Sequence, residues 1–266
     1  MEDSLGDRMK EYEATTKTFL PRRSYTIIRV DGMAFHTLTR KFKKPFDETF
    51  VSAMNETAKY LCKEISNVRF AFTQSDEISL IITDFEKTQM QAWFGNNLQK
   101  MCSASASKAT SAFNMAMLYN YFSLEAEFQT ENTDFSIAAD VIKNYKVGEF
   151  DSRVYQIPQR TEVINYLVWR QNDTVRNSIS SVAYSLYSNK ELEGKNNEQK
   201  QEMIFNKGIN WNDLDPCLKR GRITVKVQDG IRSKWKTIAA PEFTKEDGRK
   251  FINEHLLPNE IVPSEK

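Results

Sequence analysis

The sequence predicts an α+β fold: a ferredoxin-like β-α-β-β-α-β core followed by an additional helical and short-strand C-terminal region. Two observations predict it. Runs rich in β-branched and aromatic residues alternate with helical stretches in the order strand, helix, strand, strand, helix, strand, the split β-α-β arrangement. The composition of the 266 residues, 40% hydrophobic and 27% charged, is that of a globular chain able to bury a core, which excludes a disordered or fibrous protein.

A charged helix is expected from Ser4 to Lys17, then the breaker Pro21 and a strand, Ser24-Tyr-Thr-Ile-Ile-Arg-Val, that stops at Asp31-Gly32. Behind the plausible N-cap Asp47, Phe50, Met54, Ala58, Leu61 and Ile65 recur at helical spacing, which gives an amphipathic helix from Glu48 to Ile65. Val68–Thr73 and Ile78–Ile82 read as a hairpin with Gln74-Ser75-Asp76-Glu77 at its turn. A long helix follows, about Lys87 to Phe122. Its small-residue stretch 103–112 would let another backbone approach, inside the fold or between subunits. Ser152–Ile157 supplies a fourth strand before Pro158. Beyond it come a helical stretch from Thr161 to Tyr187, a polar stretch from Asn189 to Gln201, a short helix near Glu202, and strands at Arg222–Val227 and Lys234–Ile238.

Lys and Arg number 37 against 36 Asp and Glu, so any field that attracts nucleic acid must be local. Cys62, Cys102 and Cys217 form no C-x-x-C pair, which points away from a disulfide framework or zinc knuckle and towards a reducing compartment. Ala112–Phe122 is too short for a bilayer span, and the acidic N-terminus lacks a secretory apolar core. The expected location is cytoplasmic, with no membrane partner.

In this topology the first and third strands are central antiparallel neighbours. Asp31 ends the first, while Asp76 and Glu77 begin the third, so the carboxylates meet at one sheet edge. Either pair alone reads as an ordinary turn; together they read as a site. Like charges at that range repel unless cations neutralise them, and hard ions such as Mg²⁺ take carboxylate and carbonyl oxygens. Two such ions roughly 4 Å apart are the usual device for phosphoryl or nucleotidyl transfer. A triphosphate substrate follows, although G-x-x-x-x-G-K-[ST] and G-x-G-x-x-G are absent and glycines number only 9. The remaining cradle is Gly32-Met33-Ala34-Phe35-His36, whose main-chain amides can face phosphate oxygens. Arg40, Lys41, Lys43 and Lys44 beside Phe42 and Phe46 read equally as a solvated loop or a phosphate contact, and proximity to the site favours contact. Lys100, Lys108 and Arg153 are candidates to hold a second triphosphate or an RNA end.

Read in order, Arg29-Val-Asp-Gly-Met-Ala-Phe-His, Lys44-Pro45 with Asp47, Gln74-Ser-Asp-Glu, Phe150-Asp-Ser-Arg-Val and Tyr166-Leu-Val-Trp-Arg-Gln-Asn-Asp resemble the tRNA-His guanylyltransferase family from about Tyr25 to Val227. The resemblance implies a polymerase palm and nucleotide addition in the 3′-to-5′ direction. ATP activates a 5′-monophosphorylated RNA end, and the 3′-hydroxyl of an incoming nucleotide attacks the activated phosphate. It implies that Asp31 and Asp76 hold two Mg²⁺ ions with the Gly32 carbonyl, and that Glu77 is a supporting acid. Residues 31–36 with Ser75 and Asp76 would line the nucleotide site, and Lys44 and Asp47 fall near it. Residues 1–157 would be a palm-like catalytic domain and 158–266 a helical, tRNA-contacting region packed on it. A homotetramer is also implied by the family.

Members that guanylylate histidine tRNA carry His-Ile-Asn-Asn-Leu-Tyr-Asn where this chain has Val175-Arg-Asn-Ser-Ile-Ser-Ser, and the family's basic run on the long helix is replaced by Gly95-Asn96-Asn97. The chain therefore looks more like the divergent guanylyltransferase-like branch, which repairs truncated tRNA 5′ ends against a template. Partners implied are tRNA and nucleoside triphosphates, ATP and GTP among them. The rival expectations are addition of G at position −1 of histidine tRNA, a palm-fold nucleotide cyclase, and a non-catalytic RNA-binding module. Lys219-Arg-Gly-Arg, Lys226 and the Arg232, Lys234 and Lys236 group around Trp235 form a basic region read either as an RNA contact or as an ordinary exposed hairpin. Trp169 and Arg170 read as packing and a local ion pair.

Overall fold

The computed structural model describes residues 4–128, 143, 145–230 and 232–253. Strands β1 (Tyr25–Gly32), β2 (Val68–Gln74), β3 (Glu77–Ile82), β4 (Phe150–Ile157), β5 (Arg222–Asp229) and β6 (Arg232–Ala239) form one antiparallel sheet in the order β4-β1-β3-β2-β5-β6. The first four strands take the ferredoxin-like order expected. The two C-terminal strands do not stand apart: β5 hydrogen-bonds to β2 and continues the sheet across the 157/158 boundary. An open β2 edge would otherwise expose a row of unpaired amides and carbonyls.

Alternation along the strands divides the interior into two layers. Ile28, Val30, Ile78 and Leu80 turn to α3 (Glu48–Glu64) and α4 (Leu98–Phe128), while Ile27, Phe70, Phe72 and Ile81 turn to α5 (Arg160–Leu186). Asp47 caps α3 by accepting from the Phe50 amide at 2.9 Å. The small-residue stretch of α4 makes a close contact inside the fold, with Ser105 Oγ 2.7 Å from Ser152 Oγ of β4 and Ala109 fully buried.

Three expectations need adjustment. The first helix, α1, spans only Leu5–Ala14, capped by Ser4. The long helix begins at Leu98 rather than Lys87, because Phe94, Gly95 and Asn96 take positive φ and the Asn97 side chain caps the helix by accepting from the Lys100 amide at 3.0 Å. Between α2 (Phe35–Leu38) and α3 the chain is mostly irregular, but the polar stretch after α5 is not, for it holds α6 (Asn189–Leu192) and the start of α7 (Asn197–Asn206). Each of those two carries a capping box, Ser188 with Glu191 and Asn196 with Gln199, a spacing that is visible in the sequence. The turn α8 (Pro216–Lys219) leads into β5.

Candidate active site

The antiparallel register sets Asp31 directly opposite Glu77 on β3 and opposite Asp151 on β4. Residues paired in this way share a sheet face, so the three carboxylates form a row beneath α5. Arg29, two residues earlier on the same face, bridges the row, with Nη2 at 2.9 Å from Glu77 Oε2 and 3.1 Å from Asp31 Oδ2. From α5, Arg170 donates twice to Glu77, Nε to Oε1 at 2.8 Å and Nη2 to Oε2 at 2.6 Å. Both partners of this fork are nearly sealed from solvent, at 5% and 6% side-chain exposure. Glu77 therefore stands as the buried counter-ion of two guanidiniums, and Arg170 makes the local ion pair expected of it.

Asp76 occupies the β2–β3 turn after Ser75, whose φ is +43°. The turn is tied to the end of β1 by the Gly32 amide, which donates to the Asp76 carbonyl at 3.1 Å. The Asp76 carboxyl is pushed above the ordinary carboxylate range, chiefly by burial and further by the charges of Asp31 and Glu77, against hydrogen bonds from its own amide and from Ser75. Among the described residues it makes no ion pair. Asp31 and Asp76 line one cleft with Arg29, Ser75 and Asp173, so the two acids face a common space. Two carboxylates that repel each other, one of them without a cation, form an oxygen donor set that suits Mg²⁺. No group of three or more His, Cys, Asp or Glu side chains among the described residues is arranged to hold a metal unaided, so main-chain and substrate oxygens would complete the shell.

Beside this cleft lies a cavity of about 320 Å³ lined by Phe35, His36, Lys44, Asp47, Ser75 and Asp76 from the expected set. Thr174 and Asn177 of α5 close one wall, and Arg222 of β5 contributes to another. Lys44 Nζ donates to the Thr39 carbonyl at 3.1 Å, and Asp47 combines its helix cap with acceptance of the Lys43 amide at 3.0 Å. Gly32, Met33 and Ala34 do not line the cavity. The Gly32 and Met33 amides are spent on the Asp76 and Glu149 carbonyls, so the donors of the cradle reduce to Ala34, Phe35 and His36. Gly32 is needed for packing: a Cβ there would meet the Phe35 ring at 2.5 Å.

Arg153 belongs to the acidic row, 3.9 Å from Asp31 and 3.5 Å from Asp151. Lys100 does not. It is exposed in the first turn of α4, one turn and more before the Ser105–Ser152 contact and so displaced from the acid end of β4. Lys108 is also drawn elsewhere, to Glu64 at 3.6 Å and over the Tyr60 ring. The C-terminal basic region divides: Lys219 and Arg222 are buried, Arg220 pairs with Glu242 at 2.8 Å and Lys234 with Asp229 at 2.6 Å, while Lys226, Arg232 and Lys236 stay exposed. Sequence reasoning missed Asp151, Arg29 and Arg222. The first two were within reach, since pairing β1 with β4 and counting by twos puts them on the acid face. Nothing in the sequence marks Arg222 as buried. No helix among the described residues is long and apolar enough to cross a membrane.

A family model described as tRNAHis guanylyltransferase matches residues 6–158. The probable tRNA(His) guanylyltransferase of Dictyostelium discoideum is 26% identical over 239 residues, covering 85% of this chain and 84% of that one. A bacterial tRNA(His) guanylyltransferase (Thg1)-like protein solved with ATP is 38% identical at a TM-score of 0.82, covering 96% of this chain and 100% of its own. The Saccharomyces cerevisiae tRNA(His) guanylyltransferase structure is 27% identical at a TM-score of 0.65, covering 84% of this chain and 93% of its own.

Proposed function

The chain belongs to the tRNAHis guanylyltransferase family and is a nucleotidyltransferase, and from that premise we propose that it repairs tRNA 5′ ends by template-dependent 3′-to-5′ nucleotide addition. The observation that carries this reading is the position of Asp76, which lines both the acidic cleft with Asp31 and the cavity with His36, Lys44, Asp47 and Ser75. A nucleotide seated in that cavity would direct its phosphates to the acids.

In the proposed reaction a nucleoside triphosphate, ATP on the family's pattern, activates the 5′-monophosphate of the RNA with release of pyrophosphate. The 3′-hydroxyl of the incoming nucleotide then attacks that phosphate, and the activating nucleoside monophosphate leaves. Asp31 and Asp76, with the Gly32 carbonyl, would hold two Mg²⁺ ions, which supply charge neutralisation at the attacking and leaving oxygens. Arg29 keeps Asp31 in place through the 3.1 Å bond, and the Glu77–Arg170 fork fixes Arg29 in turn. His36 and Lys44 line the cavity as phosphate or sugar contacts, and Arg153, more than half exposed beside Asp31, is suited to meet an RNA phosphate.

Repair rather than dedicated addition to histidine tRNA is supported by the departure at Val175–Ser181 of α5, where the segment carried by members that guanylylate histidine tRNA is replaced. The bacterial Thg1-like structure also resembles this chain more strongly than the yeast enzyme does, at 38% against 27% identity. A cytoplasmic homotetramer is part of the same proposal. The test is incubation with 5′-truncated, 5′-monophosphorylated tRNAs of several acceptor identities, Mg²⁺, ATP and each nucleotide. Extension by residues that match the opposite strand is expected for all of them; a single untemplated G on histidine tRNA alone would replace this reading with G−1 addition.

A further inference from the structure

A second cavity, of about 610 Å³, shares only Phe42 with the cavity that holds Asp76. Its volume falls in the range of about 300–1,000 Å³ usual for ligand sites. The turn after α2 supplies Arg40 and Lys41, α4 supplies Tyr121, and the chain leading into β4 supplies Tyr145 and Lys146. The two tyrosine rings meet edge to face with centroids 6.5 Å apart, and Tyr145 Oη donates to Asn114 Oδ1 at 2.8 Å, which fixes its ring. Burial raises both phenols, Tyr145 to about 12, so neither carries charge at neutral pH.

No carboxylate lines this cavity, and among the described residues Arg40, Lys41 and Lys146, all exposed, make no ion pair. Three cations around neutral rings give a local positive field on a chain whose net charge is only +1. Exposed lysines alone are an ordinary solvated surface. Ring surface beside them changes the reading, because aromatic faces that stack a base, next to cations that meet the flanking phosphates, are the two elements of single-strand recognition. An apolar peptide would leave the cations unused, and a duplex keeps its bases stacked inside and offers none to the rings.

We propose that this cavity is a second binding site that takes an unpaired nucleotide of the RNA substrate, with its base against Tyr121 and Tyr145 and its phosphates against Arg40, Lys41 and Lys146. The inference rests on reading Asp31 and Asp76 as the place where the RNA 5′ end reacts. A 5′ end held there, across Phe42, brings the single-stranded 3′ overhang of the same tRNA towards this cavity, so the overhang is the segment assigned to it.

The test is fluorescence anisotropy of a labelled four-nucleotide single-stranded RNA without a 5′ phosphate, bound to the full chain with GTP saturating. Tyr121→Leu is expected to weaken binding about tenfold through the lost stacking. Lys146→Gln should reduce the slope of log affinity against log salt by about 0.7, one phosphate contact on a single strand. Displacement of the RNA by GTP would overturn the proposal in favour of the Asp76 cavity. An absence of binding, or wild-type affinity and salt slope in Lys146→Gln, would also overturn it, and the latter decides even if Tyr121→Leu does not fold. Free AMP displacing the RNA at equal concentration would replace it with a mononucleotide site. In the addition assay, Tyr121→Leu should raise KM about tenfold for truncated tRNA with its 3′ overhang and leave KM unchanged for the same tRNA trimmed blunt. Equal KM changes for both would overturn the assignment of the overhang. Failure of the wild type to extend any truncated tRNA would overturn the repair reading, and the overhang assignment with it, while the oligonucleotide data still decide whether the cavity binds RNA.

Discussion

Glu77→Gln removes one charge and one acceptor from the most enclosed part of the site. Glu77 receives both Arg170 donors, at 2.6 and 2.8 Å, and Arg29 at 2.9 Å. After substitution two guanidiniums face each other across an amide. Asp173, 3.0 Å from Arg170, offsets this only in part because it is shared with Arg176 at 2.7 Å. Breaking a buried pair by removing one partner costs about 3–5 kcal/mol, and the remaining Asp173 contact puts the expectation at about 3 kcal/mol. For a chain of this size that lowers the melting temperature by about 6–12 °C. Urea and thermal unfolding measure the loss, and single-turnover nucleotide addition, assayed where both proteins are folded, measures the chemistry. Addition should slow by no more than about tenfold, since Glu77 acts on Asp31 only through Arg29. Wild-type stability combined with a thousandfold or greater loss of addition would refute the buried counter-ion role and make Glu77 a group that meets the reacting atoms.

Three further outcomes are expected. Asp76 titrates above its ordinary value of 3.8, so in the metal-free protein it contributes stability only under acidic conditions and loses it as pH rises through the raised value; Asp76→Asn should therefore raise the metal-free melting temperature at neutral pH, with the gain fading below pH 3.8, and a lowered melting temperature at neutral pH would contradict this. Gly32→Ala drives a methyl into the Phe35 ring at 2.5 Å, and that ring is held by Phe50, Phe113 and Phe150, so a loss of about 1–3 kcal/mol is expected in urea unfolding, with partial recovery in the Gly32→Ala, Phe35→Leu double variant. Truncated histidine tRNA should be extended at a rate within a few-fold of other truncated tRNAs, and an absolute requirement for the histidine anticodon would defeat the repair reading.

The meeting of Asp31 with the Asp76–Glu77 turn was legible because it depends only on strand order and on which end of each strand carries the acid, both of which hydrophobic patterning fixes. Once β1 and β3 pair, Asp31 and Glu77 have to be opposite. What patterning does not convey is the partner of a polar side chain. Glu77 and Asp76 are adjacent and chemically alike in the sequence, yet one is locked by arginines from β1 and α5 and the other, among the described residues, has no cation paired with it. The start of α4 was misjudged for a related reason: residues 87–97 have helical composition, but the bridge from Phe19 to Asn97 and the hydrogen bond from the Leu20 amide to the Asn96 carbonyl hold that stretch out of the helix. Arg222 stands in a run of cations that composition marks as surface, and only the pairing of β5 with β2 carries it inside.

The measurement that bears most directly on the account is single-turnover addition to a 5′-truncated tRNA by the wild type, Asp31→Asn and Asp76→Asn, with Mg²⁺ saturating and GTP binding measured in parallel. The account predicts that each variant loses at least about a hundredfold in rate while GTP affinity stays within a few-fold. Near wild-type addition by either variant would contradict it.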